Sequence, residues 1–466
     1  MTPPSSATGG GRVAGSFRDP AGYLFERDGV LLRAVDPSFA ETYDAVVASG
    51  LYDALHRDGL LVPHEEVDPA LAPTPAHRVL RPERLPFISH PFEWSPAQLR
   101  DAALLTLRIQ DVALDHGMSL RDASAYNVQL WRGRAVFIDT LSFEPRAGEP
   151  PWVAYRQFCE HFLAPLALQT EVDVRLRRLL VADVGGVPLD LASTLLPGRT
   201  KLKPGLGTHL HAHARAGRTR EADAGAERKQ ARFSDQALRG LVDSLRGTVS
   251  KLTWEVDRTT WSDYYADATH YSDAAMRDKE TTVARFVERV APRRVWDLGA
   301  NTGRFSRIAA KTGAHVVAFD IDEGAVEAAW RKGGLTIGEG EVLPLVLDLA
   351  NPSPAIGWAN EERASVGDRG PVDLVLALAL VHHLAIGNNV PLPQVAELLA
   401  RSARHVVVEF VPKGDPKVDV LLATREDVFP DYTIEGFEAA IAPFFEVRER
   451  ADVAESTRVL YLLETR

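Results

Sequence analysis

Val295-Trp296-Asp297-Leu298-Gly299-Ala300-Asn301-Thr302-Gly303-Arg304-Phe305-Ser306 reads as a buried strand that breaks into a glycine-bearing turn and then a helix. Gly299 and Gly303 remove side chains where backbone must approach a ligand. The helix start beyond them, near Arg304 to Ala310, offers unpaired N–H groups and the positive end of a dipole. A small anionic or nucleoside ligand belongs at such a turn. Dinucleotide sites show G-x-G-x-x-G after the strand, whereas here the order is acid-x-Gly-x-x-x-Gly, with Asp297 where that pattern places its first glycine.

Working outward, Val316 to Asp320 is a second apolar strand, ending in an acid about 20 residues beyond the glycine turn, where Rossmann-like folds hold ribose hydroxyls. Leu343 to Leu347 is a third apolar run, ending at Asp348. Asp373 to Leu380 is continuously apolar after its first residue, as in a strand buried on both faces of a parallel sheet, and it leads into Val381-His382-His383-Leu384. His405 to Pro412, Phe445 to Arg448 and Arg458 to Leu463 supply further strands, and the stretches Asp322 to Arg331 and Leu392 to Ala403 read as helices. Strand and helix alternate and then close on an antiparallel edge, which makes this half of the chain an α/β domain.

The string VWDLGANTG resembles motif I of class I S-adenosylmethionine-dependent methyltransferases, with Asn301 at a middle position usually filled by glycine. Asn adopts left-handed backbone more readily than most residues, so the replacement is mild. The strings WSDYYAD, VHHLAI, VEFVPKGDP and FIDTLSFEP extend the resemblance to bacterial methyltransferase-like proteins related to the host-specificity nodulation methyltransferases, most strongly from Trp261 to Arg466. It implies a Rossmann-like, seven-stranded methyltransferase domain over 261–466 that takes S-adenosylmethionine as cofactor. Asp297, Gly299, Asn301 and Gly303 would then line the cofactor, the turn holding its methionine end, with Asp320 on the ribose and Asp348 beside the adenine. His382 or His383 would accept the acceptor's proton, imidazole being poised near neutral pH. Tyr264, Tyr271, Lys279 and Glu409 would touch the substrate or form a lid. Each residue also has an ordinary structural reading: Asp348 as a strand-end turn residue, the histidines as partners of backbone carbonyls, Glu409 as a solvated strand end, and the aromatic segment Trp254 to Ser272 as packing. No Asn/Asp-Pro-Pro-aromatic string follows the Asp373 strand, which argues against amide-like nitrogens as acceptors. An oxygen or nitrogen of a small metabolite, saccharide or lipid-linked precursor is expected instead.

With 466 residues and a mass of 51.0 kDa, the chain is too long for one core. Its 45% hydrophobic and 25% charged residues are ordinary for a globular enzyme. A formal net charge of -11 argues against a nucleic-acid partner bound through a broad basic face. The single cysteine, Cys159, excludes an internal disulfide and fits a reducing compartment. No apolar run reaches membrane-spanning length, and residues 1–15 are expected as a disordered tail without the apolar core of a signal peptide, so a cytoplasmic protein is expected.

Residues 196–260 read as a basic connector followed by a helix from Ser234 to Lys251. His209-Leu210-His211-Ala212-His213 would put three imidazoles on one face of a strand, but no second ligand cluster accompanies them, so a solvated loop or edge strand is expected and no metal.

Residues 16–195 are expected as an α+β domain. Gly22 to Val35 reads as a hairpin around Asp28-Gly29, and Ser95 to His116 as a long amphipathic helix. Asp122, Asn127 five residues later and the strand-borne Asp139 a further 12 on resemble the catalytic loop and metal-binding acid of kinase-like and aminoglycoside-phosphotransferase-like folds. No lysine precedes Lys201 and no glycine-rich loop lies between Gly22 and Val35, so the domain reads as degenerate, with Arg33 the nearest substitute charge. Alternatively, Asp122 and Asn127 cap helices and turns. Three functions follow: a methyltransferase, a bifunctional kinase-like methyltransferase, and a non-catalytic scaffold that binds the cofactor.

Overall fold

The computed structural model describes residues 11–216, 232–256, 272–423 and 425–466. The chain divides into two compact units, one of residues 1–254 with 355–363 and one of residues 255–354 with 364–466.

Unit 1 opens with a five-stranded antiparallel sheet of β1 (Gly11–Arg12), β2 (Gly22–Arg27), β3 (Val30–Val35), β4 (His64–Val67) and β5 (Arg78–Pro82), in the order β1-β2-β3-β5-β4. Asp28 and Gly29 both have positive φ, 52° and 76°, the mirror-image turn whose twist matches a tight hairpin. Residues 11–15, expected in a disordered tail, are ordered: Gly11 and Arg12 pair with Glu26 and Phe25, because β2 offers an open edge. The Pro96–Asp115 helix begins at a Ser95/Gln98 capping box with proline in its first turn. Beyond it, β6 (Met118–Leu120) pairs with β9 (Phe143–Pro145), and β7 (Val128–Trp131) pairs with β8 (Arg134–Phe137).

The described part of 196–254 is largely helical and is grouped with unit 1. Leu238, Val242, Leu245 and Val249 of the Asp235–Val249 helix are all buried, a four-three-four stripe that outweighs the polar composition. The histidine run is likewise neither strand nor loop. Gly207–Ala212 is a π-helical turn in which the His209 ring bonds Tyr155 and Ser244 hydroxyls at 2.9 and 2.8 Å, and the His211 ring bonds Ser193 and Thr200 hydroxyls at 2.9 and 2.8 Å. Buried Leu206, Leu210 and Ala214 recur every four residues, so helical spacing prevails over the alternation of histidines.

Unit 2 is built on an eight-stranded sheet of β10 (Arg294–Leu298), β11 (His315–Asp320), β12 (Thr336–Ile337), β13 (Gly340–Val346), β14 (Val372–Ala377), β15 (Ala403–Phe410), β16 (Phe445–Asp452) and β17 (Val459–Thr465). The order is β12-β13-β11-β10-β14-β15-β17-β16. The five strands from β13 to β15 are parallel, and β17 enters antiparallel between β15 and β16. Seven strands were expected; the eighth is the two-residue β12, folded back on β13 through Gly338 at φ 61°. Val375, Leu376 and Ala377 of β14 are fully buried, as a central parallel strand requires. The apolar run continues to Leu380, but the strand stops at Ala377 because Ala379 turns the backbone to φ 51°. Among the described residues, no helix is long and apolar enough to cross a membrane.

Candidate active site

In unit 2, β10 sends its connection to β11 on one side while β14 lies on the other, so the chain order reverses between β10 and β14. Open α/β sheets bind ligands outside the carboxyl ends of the strands at such a reversal. A cavity of about 300 Å³ opens there, lined by the segments that follow β10, β11, β13 and β14. That volume is at the small end of the range for ligand sites.

The glycine turn forms one wall. Gly299 and Ala300 both donate backbone N–H bonds to the Phe319 carbonyl at 2.9 Å, which fastens the turn to the end of β11. Gly299, Asn301 and Gly303 take φ values of 79°, 52° and 81°. A Cβ on Gly299 would lie 3.6 Å from Leu380, so its main demand is conformational: that backbone strains any L side chain. The Asn301 N–H donates to Asp320 Oδ2 at 2.6 Å, while the Asn301 side-chain oxygen accepts from Thr302 N–H at 2.8 Å. Asp297, Gly299, Asn301, Asp320 and Asp348 all line the cavity. Gly303 instead caps the short Arg304–Ala310 helix. Asp348 is half-buried and its Oδ1 accepts the Ala350 N–H at 2.9 Å, so the turn-residue role is filled alongside its place at the cavity.

Burial pushes the Asp297 carboxyl up to about 7, despite a 2.6 Å hydrogen bond from Ser306 Oγ. Burial also pushes Asp320 up to about 6, against the backbone N–H groups of Asp322 and Asn301 that favour its charged form. Both groups ionise near 4 in an unfolded chain. Between about pH 4 and 7 the unfolded chain therefore gives up these protons first, and each carboxyl makes the fold less stable as pH rises through that window. The buried His382 and His383, whose pKa values are lowered, act in the opposite direction over part of the same range. A variant isolates the acid: Asp297→Asn keeps an acceptor for Ser306, and its stability relative to wild type should increase steadily from pH 4.5 to 7.5. Chemical denaturation across that range checks this, and a pH-independent difference contradicts it.

Of the histidine pair, only His383 reaches the cavity. His382 is completely buried, its ring centroid 4.1 Å from that of His383, and neither of its ring nitrogens has a hydrogen-bond partner among the described residues. Burial, then the charge of Lys417, pushes His383 down to about 4, so it is neutral at physiological pH and only weakly basic. The Asn388 amide donates to the His383 carbonyl at 2.9 Å, and both residues line the cavity.

Lys279 and Glu409 form a buried ion pair at 2.7 Å, with side-chain exposures of 4% and 0%. Glu409 is therefore not a solvated strand end. Lys279 lies 4.8 Å from the centre of the Phe305 ring and lines the cavity. Arg458 extends the network: its Nη1 is 3.8 Å from Glu409 Oε1, and its Nε and Nη2 donate to Asp415 at 2.7 and 3.0 Å. Sequence reasoning missed Arg458, Asp415 and Ser306; only Ser306, at the third position after the last glycine of the turn, carried a local signal. Tyr264 and Tyr271, together with Trp261 and Tyr265, lie outside the described residues.

No protein-family model matches the chain. The nodulation protein NoeA of Rhizobium meliloti (strain 1021) is 38% identical over 462 residues, covering 97% of this chain and 96% of its own length. Among solved structures, the N-methyltransferase NodS from Bradyrhizobium japonicum WM9 aligns with a TM-score of 0.32 at 12% identity, over 42% of this chain and 98% of its own. Magnesium protoporphyrin IX methyltransferase from Synechocystis PCC 6803 with bound SAH aligns with a TM-score of 0.30 at 20% identity, over 45% of this chain and 100% of its own.

Proposed function

The chain belongs to the family of the nodulation protein NoeA, and on that premise we propose that it is a methyltransferase that uses S-adenosylmethionine. The acceptor is an oxygen or nitrogen of a small molecule, saccharide or lipid-linked precursor. The observation that carries this reading is the glycine turn bonded through Asn301 N–H to the Asp320 carboxylate, at the rim of a cavity at the sheet's reversal point.

The residues present fit the cofactor. Asp320 is a carboxylate acceptor for a pair of ribose hydroxyls, and Gly299 leaves room for a ligand to lie against bare backbone. Ile321, Leu347 and Leu349 offer apolar faces for a base, with Asp348 beside them to accept from an exocyclic amine. Bound there, S-adenosylmethionine supplies a methyl group on a positively charged sulfur, open to in-line displacement. Asp320, whose carboxyl titrates at about 6, gives this cavity negative character at neutral pH that suits a cationic donor. The protein's main contribution is positioning: the acceptor atom must be held within about 3 to 3.5 Å of the methyl carbon and in line with the breaking bond. His383, neutral and weakly basic, accepts a hydrogen bond from the acceptor's hydroxyl or amine and so aims its lone pair; its low basicity makes it an orienting group first.

Calorimetric titration of the whole chain with S-adenosylhomocysteine tests the reading. Saturable 1:1 binding is expected, and methyl label from S-adenosylmethionine should pass to an acceptor in extracts of the natural host. Absence of binding would overturn the methyltransferase assignment. Binding without transfer to any acceptor pool would favour a non-catalytic cofactor-binding scaffold.

A second reading concerns unit 1 alone. We propose that it is a degenerate kinase-like domain. Support comes from a five-stranded antiparallel sheet followed by the Pro96–Asp115 helix, then Asp122 and Asn127 on the loop between β6 and β7, and Asp139 just after the β7–β8 hairpin.

A further inference from the structure

A phosphotransferase-like loop would coordinate a divalent cation through Asn127 and Asp139. The residues present do not fit one. Asp139 Oδ1 lies 2.7 Å from the Arg33 guanidinium and 3.2 Å from the Leu141 N–H, while Oδ2 takes the Ser142 hydroxyl. The Asn127 amide is itself directed at Ser142 Oγ, at 3.4 Å. Asp122 Oδ1 accepts from Ser124 N–H at 2.9 Å and from Gln157 Nε2 at 2.8 Å. Among the described residues, no group of three or more His, Cys, Asp or Glu side chains could hold a metal ion.

One guanidinium nitrogen lies against the carboxylate that such a cation would need. Arg33 Nη2 sits 2.7 Å from Asp139 Oδ1 and 3.3 Å from Asp19 Oδ2. Asp19 is held from its other oxygen by Arg121 Nη2 at 2.8 Å, and Arg121 Nε donates to the Leu141 carbonyl at 3.0 Å. Arg33 is on β3, Asp19 precedes β2, and Arg121 begins the loop that carries Asp122 and Asn127. The chain before β2, β3, the start of the Asp122 loop and the residue after the β7–β8 hairpin are thus cross-linked by two arginines and two carboxylates. The Arg33 side chain is only 12% exposed, as is that of Asp139, so this is not a solvated surface pair of negligible energy.

We infer that Arg33 is a built-in counter-cation that takes the position of the divalent metal in unit 1, locking the loop and leaving the domain unable to bind a metal nucleotide. The inference rests on the kinase-like reading of unit 1 and is independent of the methyl-transfer reading of unit 2. Its logic is electrostatic. A guanidinium is permanently charged and offers donors to two carboxylates at once, so it neutralises Asp139 and Asp19 without any exchangeable ion. Removing that charge while keeping both acids leaves Asp139 without its guanidinium and Asp19 held only by Arg121, so a net negative charge and carboxylate oxygens face one point, as a cation site requires.

The test is Mn²⁺ binding to the full chain, followed by electron paramagnetic resonance and repeated with ATP present. Wild type is expected to bind neither Mn²⁺ nor Mn²⁺-ATP at millimolar concentration. Arg33→Ala should gain one Mn²⁺ site, with an affinity at least tenfold above any residual wild-type binding, and the added substitution Asp139→Asn should remove it. Arg33→Gln, which keeps a hydrogen-bond donor and most of the side-chain length, serves if the alanine variant does not fold. Mn²⁺-ATP binding by wild type that is lost in Asp139→Asn would overturn the inference, as would folded Arg33 variants that acquire no Mn²⁺ site. Variants that gain Mn²⁺ but never ATP would uphold Arg33 as the counter-cation and instead remove the kinase-like reading on which the metal's original role depends.

Discussion

Replacing Asp320 with Ala is expected to weaken S-adenosylhomocysteine binding at least about 100-fold, which corresponds to about 3 kcal/mol. Two losses combine. A ligand's ribose loses a charged acceptor, and hydrogen bonds to charged groups are worth about 1.5–3 kcal/mol each. The turn itself also loses the carboxylate that accepts the Asn301 N–H at 2.6 Å and the Asp322 N–H at 2.9 Å, so the backbone that should cradle the cofactor is no longer held in its left-handed conformation. Asp348→Ala is the informative comparison. Asp348 is half-buried and its described bond is local, to Ala350 N–H, so its removal should cost no more than about tenfold. Calorimetry on both variants checks the ranking. Equal effects, or a larger one at Asp348, would mean that the ribose is not held at the end of β11.

Glu409→Ala should be the most destabilising single change in unit 2, by about 3–5 kcal/mol, because it leaves the ammonium of Lys279 buried without its carboxylate. A loss of that size lowers the melting temperature of a unit this large by roughly 10 °C. Arg458 keeps its two bonds to Asp415, so the damage should centre on Lys279. The double variant Lys279→Met/Glu409→Leu replaces both charges with apolar side chains and is expected to recover most of the loss, since an apolar pair of similar volume commonly matches a buried ion pair in stability. Differential scanning calorimetry of the two singles and the double closes the cycle. If the double loses the sum of the singles, the pair is not the source of the cost.

The glycine turn and its partner acids were legible because the information is local. Asp297, Gly299 and Asn301 stand within one strand-to-helix break, and Asp320 and Asp348 stand where apolar runs end. Chain order then carries the argument further, because parallel strands separated by helices have few ways to stack. Contacts between distant residues were not legible. Lys279 and Glu409 are 130 residues apart, and each reads as a candidate for solvent or substrate until the fold brings the Asp273–Val290 helix against the end of β15. The histidine pair shows a different limit. His382 and His383 are adjacent and chemically identical, and only the turn of the backbone after Ala379 decides which ring faces the cavity and which enters the core.

Unit 1 shows the same division. The hairpin around Asp28-Gly29 was legible from its turn residues, because it depends on the conformations of a few consecutive residues. That Arg33 lies against Asp139, and that His209 and His211 bond hydroxyls inside a helical turn, depends on packing between segments tens to more than a hundred residues apart. The glycine turn, the Asp28-Gly29 hairpin and the strand-end positions of Asp320 and Asp348 were therefore legible in the sequence alone, since each is a property of a short stretch of chain. Which buried charges meet, and so which carboxylates remain open to a ligand, was decided only by tertiary structure. Burial and the distance between opposite charges set those energies, and neither quantity exists until the chain has folded.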